Sequence, residues 1–262
     1  MKRWVLLLSV LSIAALPAWG APRAPDALLS AHLNAVARSA DPRVAAALTR
    51  INGTDRRLLA MRSYLRAGAG LPQRWSWTAA DIRAYDGSHE QRALAQAIAR
   101  VRTQFEARNR GYTLFVQPTV RTLDVQLERW DSNISVARVA AAFRDQVAEQ
   151  VQRDPALRSV DAASTVRFAA LLRDAIPEAA PTLAAPGLSR HGRMRAVDFI
   201  VRRGDETVAG ADAASANRRW DRAGWTDRLH QAVLASGAPF DGPLERPAEP
   251  WHYEYRVAGH FK

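Results

Sequence analysis

Ser189-Arg190-His191-Gly192-Arg193-Met194-Arg195-Ala196-Val197-Asp198-Phe199-Ile200-Val201 is the stretch that decides the fold. It follows a Pro186-Gly187 turn and closes on a short apolar strand, Ala196 to Val201, interrupted by Asp198. Arg203-Gly204-Asp205 turns the chain out of that strand. A second strand, Trp251 to Val257, follows the Pro/Gly-rich connection 237–250 and carries His252 near its start. Two strands of one sheet bring His191, Asp198 and His252 together. Few strands among many helical stretches make the class α+β, with a small antiparallel sheet flanked by helices and preceded by an N-terminal helical extension.

Working outward, residues 28–67 show apolar positions at helical spacing, broken at Asp41-Pro42 and Asn52-Gly53, which predicts two or three short helices. Gly68 to Pro72 closes that region, and Trp75 and Trp77 follow as packing aromatics. Ser88 is a suitable N-cap for a helix running to about Asn109. Tyr112 to Val120 reads as a strand, Arg121 to Gln126 as the entry to another helix, and 134–152, 163–175 and 217–236 as helices. Residues 176–187 are Pro/Ala-rich and form a loop. No repeat of fixed period occurs. The expected organisation is a leader at 1–20, a helical extension at 21–87, and a sheet-bearing domain at 88–262 with a helical insertion around 131–180.

The leader reads as a secretory signal. Lys2 and Arg3 precede an apolar run from Trp4 to Ala15, Pro17 breaks it, and Ala18-Trp19-Gly20 offers small residues for cleavage before Ala21. The run falls short of the roughly 20 residues a membrane span needs, so no stable membrane insertion is expected after cleavage. The chain has no cysteine, which excludes disulfides and thiolate ligands. Export without disulfides points to a bacterial envelope, periplasmic or secreted. The net charge of +11 rests almost entirely on arginine, since only Lys2 and Lys262 are lysines. The arginines are dispersed, with no basic run interleaved with aromatics, and nucleic acid is not an expected partner.

Two imidazoles and one carboxylate are the donor set of an open zinc site, which leaves a coordination position for chemistry. Glu249, three residues before His252, is a carboxylate placed to take a proton from water and pass it to a leaving amine. Trp251 is either a wall of the substrate pocket or core packing under the last strand.

These residues carry a family resemblance. Ser189 to Asp198 looks like the S-x-H-x-x-G-x-A-x-D signature of zinc D-alanyl-D-alanine carboxypeptidases of the VanY type. Glu249-Pro250-Trp251-His252-Tyr253 resembles that family's E-P-W-H-[FY] segment, and Val120-Arg121-Thr122-Leu123-Asp124-Val125-Gln126 is similar to its Y-R-S-Y-x-x-Q segment. The resemblance spans about 90–258 and implies that His191, Asp198 and His252 bind one Zn2+ ion and that Glu249 is the general base. It implies that Arg121 holds substrate and steadies charge in the transition state. Gln126 and Ser189 would be secondary substrate contacts.

The chain departs from the pattern in three places. Met194 stands where the family has glycine, Val120 replaces a tyrosine, and sixty-two residues, 127–188, separate Gln126 from Ser189. The implied activity is hydrolysis of peptidoglycan stem peptides, with removal of a terminal D-alanine. An endopeptidase with the same site, and a non-catalytic envelope protein that binds wall peptide, are the alternatives.

Overall fold

The structure, a computed structural model, describes residues 24–117, 119–212 and 215–256. The expected leader lies outside the described residues. Among those described, no helix is long and apolar enough to cross a membrane.

The N-terminal third forms three helices: α1 (Ala24–Arg38), α2 (Pro42–Arg50) and α3 (Thr54–Ala67). Their ends have local causes. Asp41 caps α2 by accepting from the Arg43 amide, with Pro42 at the first helical position. Gly53 takes a positive φ of 83° to start α3. Two short helices follow, α4 (Leu71–Arg74) and α5 (Ala79–Tyr85). Then come α6 (His89–Arg108), capped by Ser88 as its sequence predicts, and strand β1 (Thr113–Val116), shorter than the 112–120 expected.

Helices α7 (Leu123–Ser132), α8 (Ile134–Arg153) and α9 (Ala162–Asp174) fill the long spacer before the metal motif. Strand β2 (Ala196–Arg203) is followed by β3 (Glu206–Ala209), helix α10 (Trp225–Ser236), β4 (Phe240–Asp241) and β5 (His252–Tyr255). The expected helix over 217–236 is two pieces. A π-helical turn, Ala216–Asp221, stops before Gly224, which sits in the left-handed region at φ 72° and restarts the chain as α10.

The five strands form one antiparallel sheet with β2 at its centre. β1 lies along one edge of β2, while β5 pairs with its N-terminal half and β3 with its C-terminal half. Strand alternation sorts the faces. Val197, Phe199 and Val201 of β2 and Tyr253 and Tyr255 of β5 enter an apolar core with Leu114 and Val116 of β1, covered by α6 and α10. Asp198 and His252, opposite each other across the β2–β5 pair, belong to the other face.

A second core is built mainly from helices. It joins Leu29, Leu33, Leu48, Leu58 and Leu59 of the first three helices to Trp130, Val136, Phe143, Val147 and Phe168 of α7–α9. The N-terminal helices do not pack on the sheet. They pack instead on the insertion, α3 on α8 and α9, and α1 on α8 and α9. The α8 stripe Val136-Val139-Ala140-Phe143-Val147-Val151 is buried, and α3 is its main partner. The chain crosses from one core to the other between Trp75, in the helical core, and Trp77, packed against the sheet core.

Candidate metal centre

Each half of the molecule supplies one wall of a cleft of about 780 Å³, and the motif residues sit where the walls meet. His191 lies on a 3-10 turn, Arg190–Arg193, that leads into β2. Asp198 and His252 are direct cross-strand partners. Glu249 ends a tight loop held by its own amide, which donates to the Leu244 carbonyl at 2.9 Å, and by the His252 amide, which donates to the Glu249 carbonyl at 3.0 Å.

Three donor atoms converge. His191 Nε2 is 3.2 Å from His252 Nδ1 and 3.4 Å from Asp198 Oδ1, and His252 Nδ1 is 3.1 Å from Asp198 Oδ1. Ligand atoms about 2.0–2.1 Å from a tetrahedral zinc stand about 3.3 Å apart. The triad therefore has the spacing of three corners of a tetrahedron, and His191, Asp198 and His252 could hold a metal ion. Glu249 Oε2 is 3.7 Å from His252 Nδ1, beside the triad rather than in it.

The other carboxylate oxygen of Asp198 accepts from Arg121 Nη2 at 3.1 Å. That bond fixes the carboxylate so that Oδ1 faces the two imidazoles, the outer support that metal ligands commonly have. Arg121 is held in turn through its own backbone, whose amide donates to the His191 carbonyl at 3.2 Å. It lines the cleft as well.

Burial sets the electrostatics. It lowers the His191 pKa, favouring the neutral imidazole that metal binding requires. Burial would raise Asp198, but the hydrogen bonds from His191 and His252 outweigh it and hold the carboxyl well below its ordinary range. Glu249 goes the other way. Burial, reinforced by the charge of Asp198, pushes it above the usual carboxylate range against the pull of His252 and Arg121. Two carboxylates about one centre are thus driven apart, one to stay ionised and one towards exchanging a proton.

Gln126, expected as a secondary substrate contact, lines the cleft, but it is buried and both of its amide hydrogens are taken up inside the protein. Nε2 donates to Ser76 Oγ and to the Arg121 carbonyl, both at 2.7 Å, and Oε1 accepts from the Gly187 amide at 2.9 Å. Ser76 and Trp77 continue the network, their amides donating to the Gly187 and Gly192 carbonyls at 2.7 and 2.9 Å. Gln126 therefore ties together the Arg121 segment, the turn before His191 and the crossover between the two cores. A Cβ on Gly192 would stand 2.1 Å from Ser76 Oγ, so only glycine fits beside this network.

Ser189 lines the cleft one residue before the 3-10 turn. Trp251 does both things open to it: it lines the cleft and is buried with its ring 6.2 Å from that of Trp220. Ser76 gave no signal in the sequence, because a serine between two tryptophans carries no pattern. Met194 occupies the left-handed region at φ 52° and ψ 34°, the conformation that glycine serves at this position of the motif. Its side chain is buried in the sheet core and displaces none of the three ligands.

Comparison with family models, curated proteins and solved structures found no match for the chain.

Proposed function

We propose that this protein is a zinc metallopeptidase of the bacterial envelope that hydrolyses peptidoglycan stem peptides, removing a terminal D-alanine. The observation that carries the reading is the convergence of His191 Nε2, Asp198 Oδ1 and His252 Nδ1 within 3.1–3.4 Å of one another, with Glu249 alongside. The three-element resemblance in the sequence supports the substrate, and the leader with the lack of cysteine supports the compartment. Borderline-soft zinc suits a donor set of two imidazoles and one carboxylate better than the hard cations, which favour oxygen ligands alone.

Bound zinc supplies Lewis acidity that polarises a carbonyl and eases deprotonation of water. The chain's own groups do the rest. Glu249, raised by burial, accepts a proton from the attacking water and delivers it to the departing amine nitrogen. Arg121 keeps Asp198 aligned and directs its remaining donors to the cleft, where negative charge grows on the carbonyl oxygen. Burial favours the neutral form of His191, and Gln126 holds the segments on which Arg121 and His191 ride.

Met194 and the long spacer 127–188 are what favour a non-catalytic reading; Met194 takes the glycine conformation with the triad intact, which speaks for catalysis. Glu249→Gln is the test. Zinc content measured by mass spectrometry should stay at one ion per chain, while turnover of a D-Ala-D-Ala-terminated peptide drops by roughly 10²–10⁴-fold. Turnover equal to that of the unaltered protein would remove Glu249, and the mechanism with it.

A further inference from the structure

The cleft carries more positive charge than its metal chemistry uses. Arg74, Arg121, Arg129, Arg190, Arg193 and Arg246 all line it. Four carboxylates line the same walls. Asp198 serves Arg121 and the imidazoles, Glu254 pairs with Arg190 at 2.7 Å, Asp212 accepts from Ser215, and Glu249 stands beside His252. Among the described residues, Arg74, Arg129 and Arg193 form no ion pair. Arg193 donates from Nη1 to the Gln73 carbonyl at 2.5 Å, and its Nε is buried with no partner. Arg74 and Arg129 are exposed to the cleft from the helical half of the molecule, at the end of α4 and on α7. The family resemblance reaches neither as a site residue.

Like charges gather here: the charges of Arg74, Arg190 and Arg195 act against that of Arg193, and Arg129 against that of Arg121. Guanidinium groups that line a concave site and form no ion pair of their own attract an anion that fits their planar forks. A solvated surface arginine needs no such company. The helical half also has a reason to reach the cleft at Arg74 and Arg129, since the Gln126 and Ser76 bonds hold that half against the metal turn.

We infer that Arg74, Arg129 and Arg193 form a carboxylate-binding subsite, so that the cleft selects peptides bearing a second carboxylate besides the C-terminal one. The inference rests on the peptidase reading for the ligand being a peptide. It assigns the helical half a role in substrate choice.

The test measures binding, independent of turnover. Two fluorescent peptides ending in D-Ala-D-Ala and carrying one internal glutamate, with its free carboxylate or as the amide, are titrated by anisotropy against the zinc-loaded Glu249→Gln protein. The acid form should bind about tenfold tighter, with the difference shrinking as salt rises. Adding Arg74→Gln and Arg129→Gln should reduce the ratio to about twofold or less, and Arg74→Lys with Arg129→Lys should keep most of it. Equal binding of the two peptides by the Glu249→Gln protein overturns the subsite, as does an undiminished ratio in the double glutamine variant. Both arginines are exposed and unpaired, so circular dichroism should show the variants folded. A binding preference without hydrolysis by the unaltered protein would overturn the peptidase reading and leave the subsite standing. Hydrolysis without preference would do the reverse.

Discussion

Met194 concentrates the tension of this site in one residue. An L-amino acid in the left-handed region costs about 1–2 kcal/mol, and burying a methionine side chain contributes about 1.5–3 kcal/mol. The side chain therefore offsets the backbone it strains. Both Met194→Ala and Met194→Gly should destabilise, but glycine should be the more stable of the two by about 1 kcal/mol in urea titrations. Alanine ranking above glycine would deny the left-handed conformation. The motif marked this position as one needing glycine; the buried side chain that makes methionine tolerable was not legible there. Gln126 teaches the opposite lesson. Its place in the motif was legible, but its role was not, because a pattern of residue types does not show whether an amide faces water or three buried partners. Gln126→Ala strands the Gly187 amide and the Arg121 carbonyl. It should cost about 2–4 kcal/mol and weaken zinc binding about tenfold, read by chemical denaturation and competition with a zinc chelator. A substrate contact alone would move neither quantity.

Among the elements, the β2–β5 pair is the working part. Strict alternation puts Asp198 and His252 on one face and Phe199 and Tyr253 in the core. A one-residue slip would bury the ligands and expose the aromatics. The electrostatics of this pair set a pH dependence with a definite sign. Asp198 has a folded pKa below its ordinary 3.8, so the folded protein binds fewer protons than the unfolded chain. The stability it contributes is present above pH 3.8 and lost as pH falls through the lowered value. Thermal melts of metal-free wild type and Asp198→Asn should therefore converge as pH drops below 3.8 from their separation at pH 6. A separation that widens in acid would reverse the assignment. The long helices were readable because their stripes repeat several times and, for α6, because the Ser88 cap is explicit. β4 was not, since a strand of two residues is too short to display alternation. The break in 217–236 turns on Gly224 alone, and a single glycine in an apolar run reads equally as tolerated.

The whole molecule is two cores meeting at one cleft, and the metal residues come from the sheet side while Arg74, Arg129 and Gln126 come from the helical side. The sheet core and its three ligands could be placed from two short motifs, because each motif is local and their pairing follows from strand order. The partnership of the N-terminal helices with α8 and α9 could not, since it joins stripes about a hundred residues apart that look alike on any amphipathic helix. That partnership makes the helical half a wall of the cleft. The most direct test of the central claim is mass spectrometry of isolated muropeptides incubated with the zinc-loaded protein lacking residues 1–20. Pentapeptide stems should lose their terminal alanine, and the same incubation with Glu249→Gln should leave them whole. Unchanged muropeptides from a protein holding one zinc ion per chain would contradict the account.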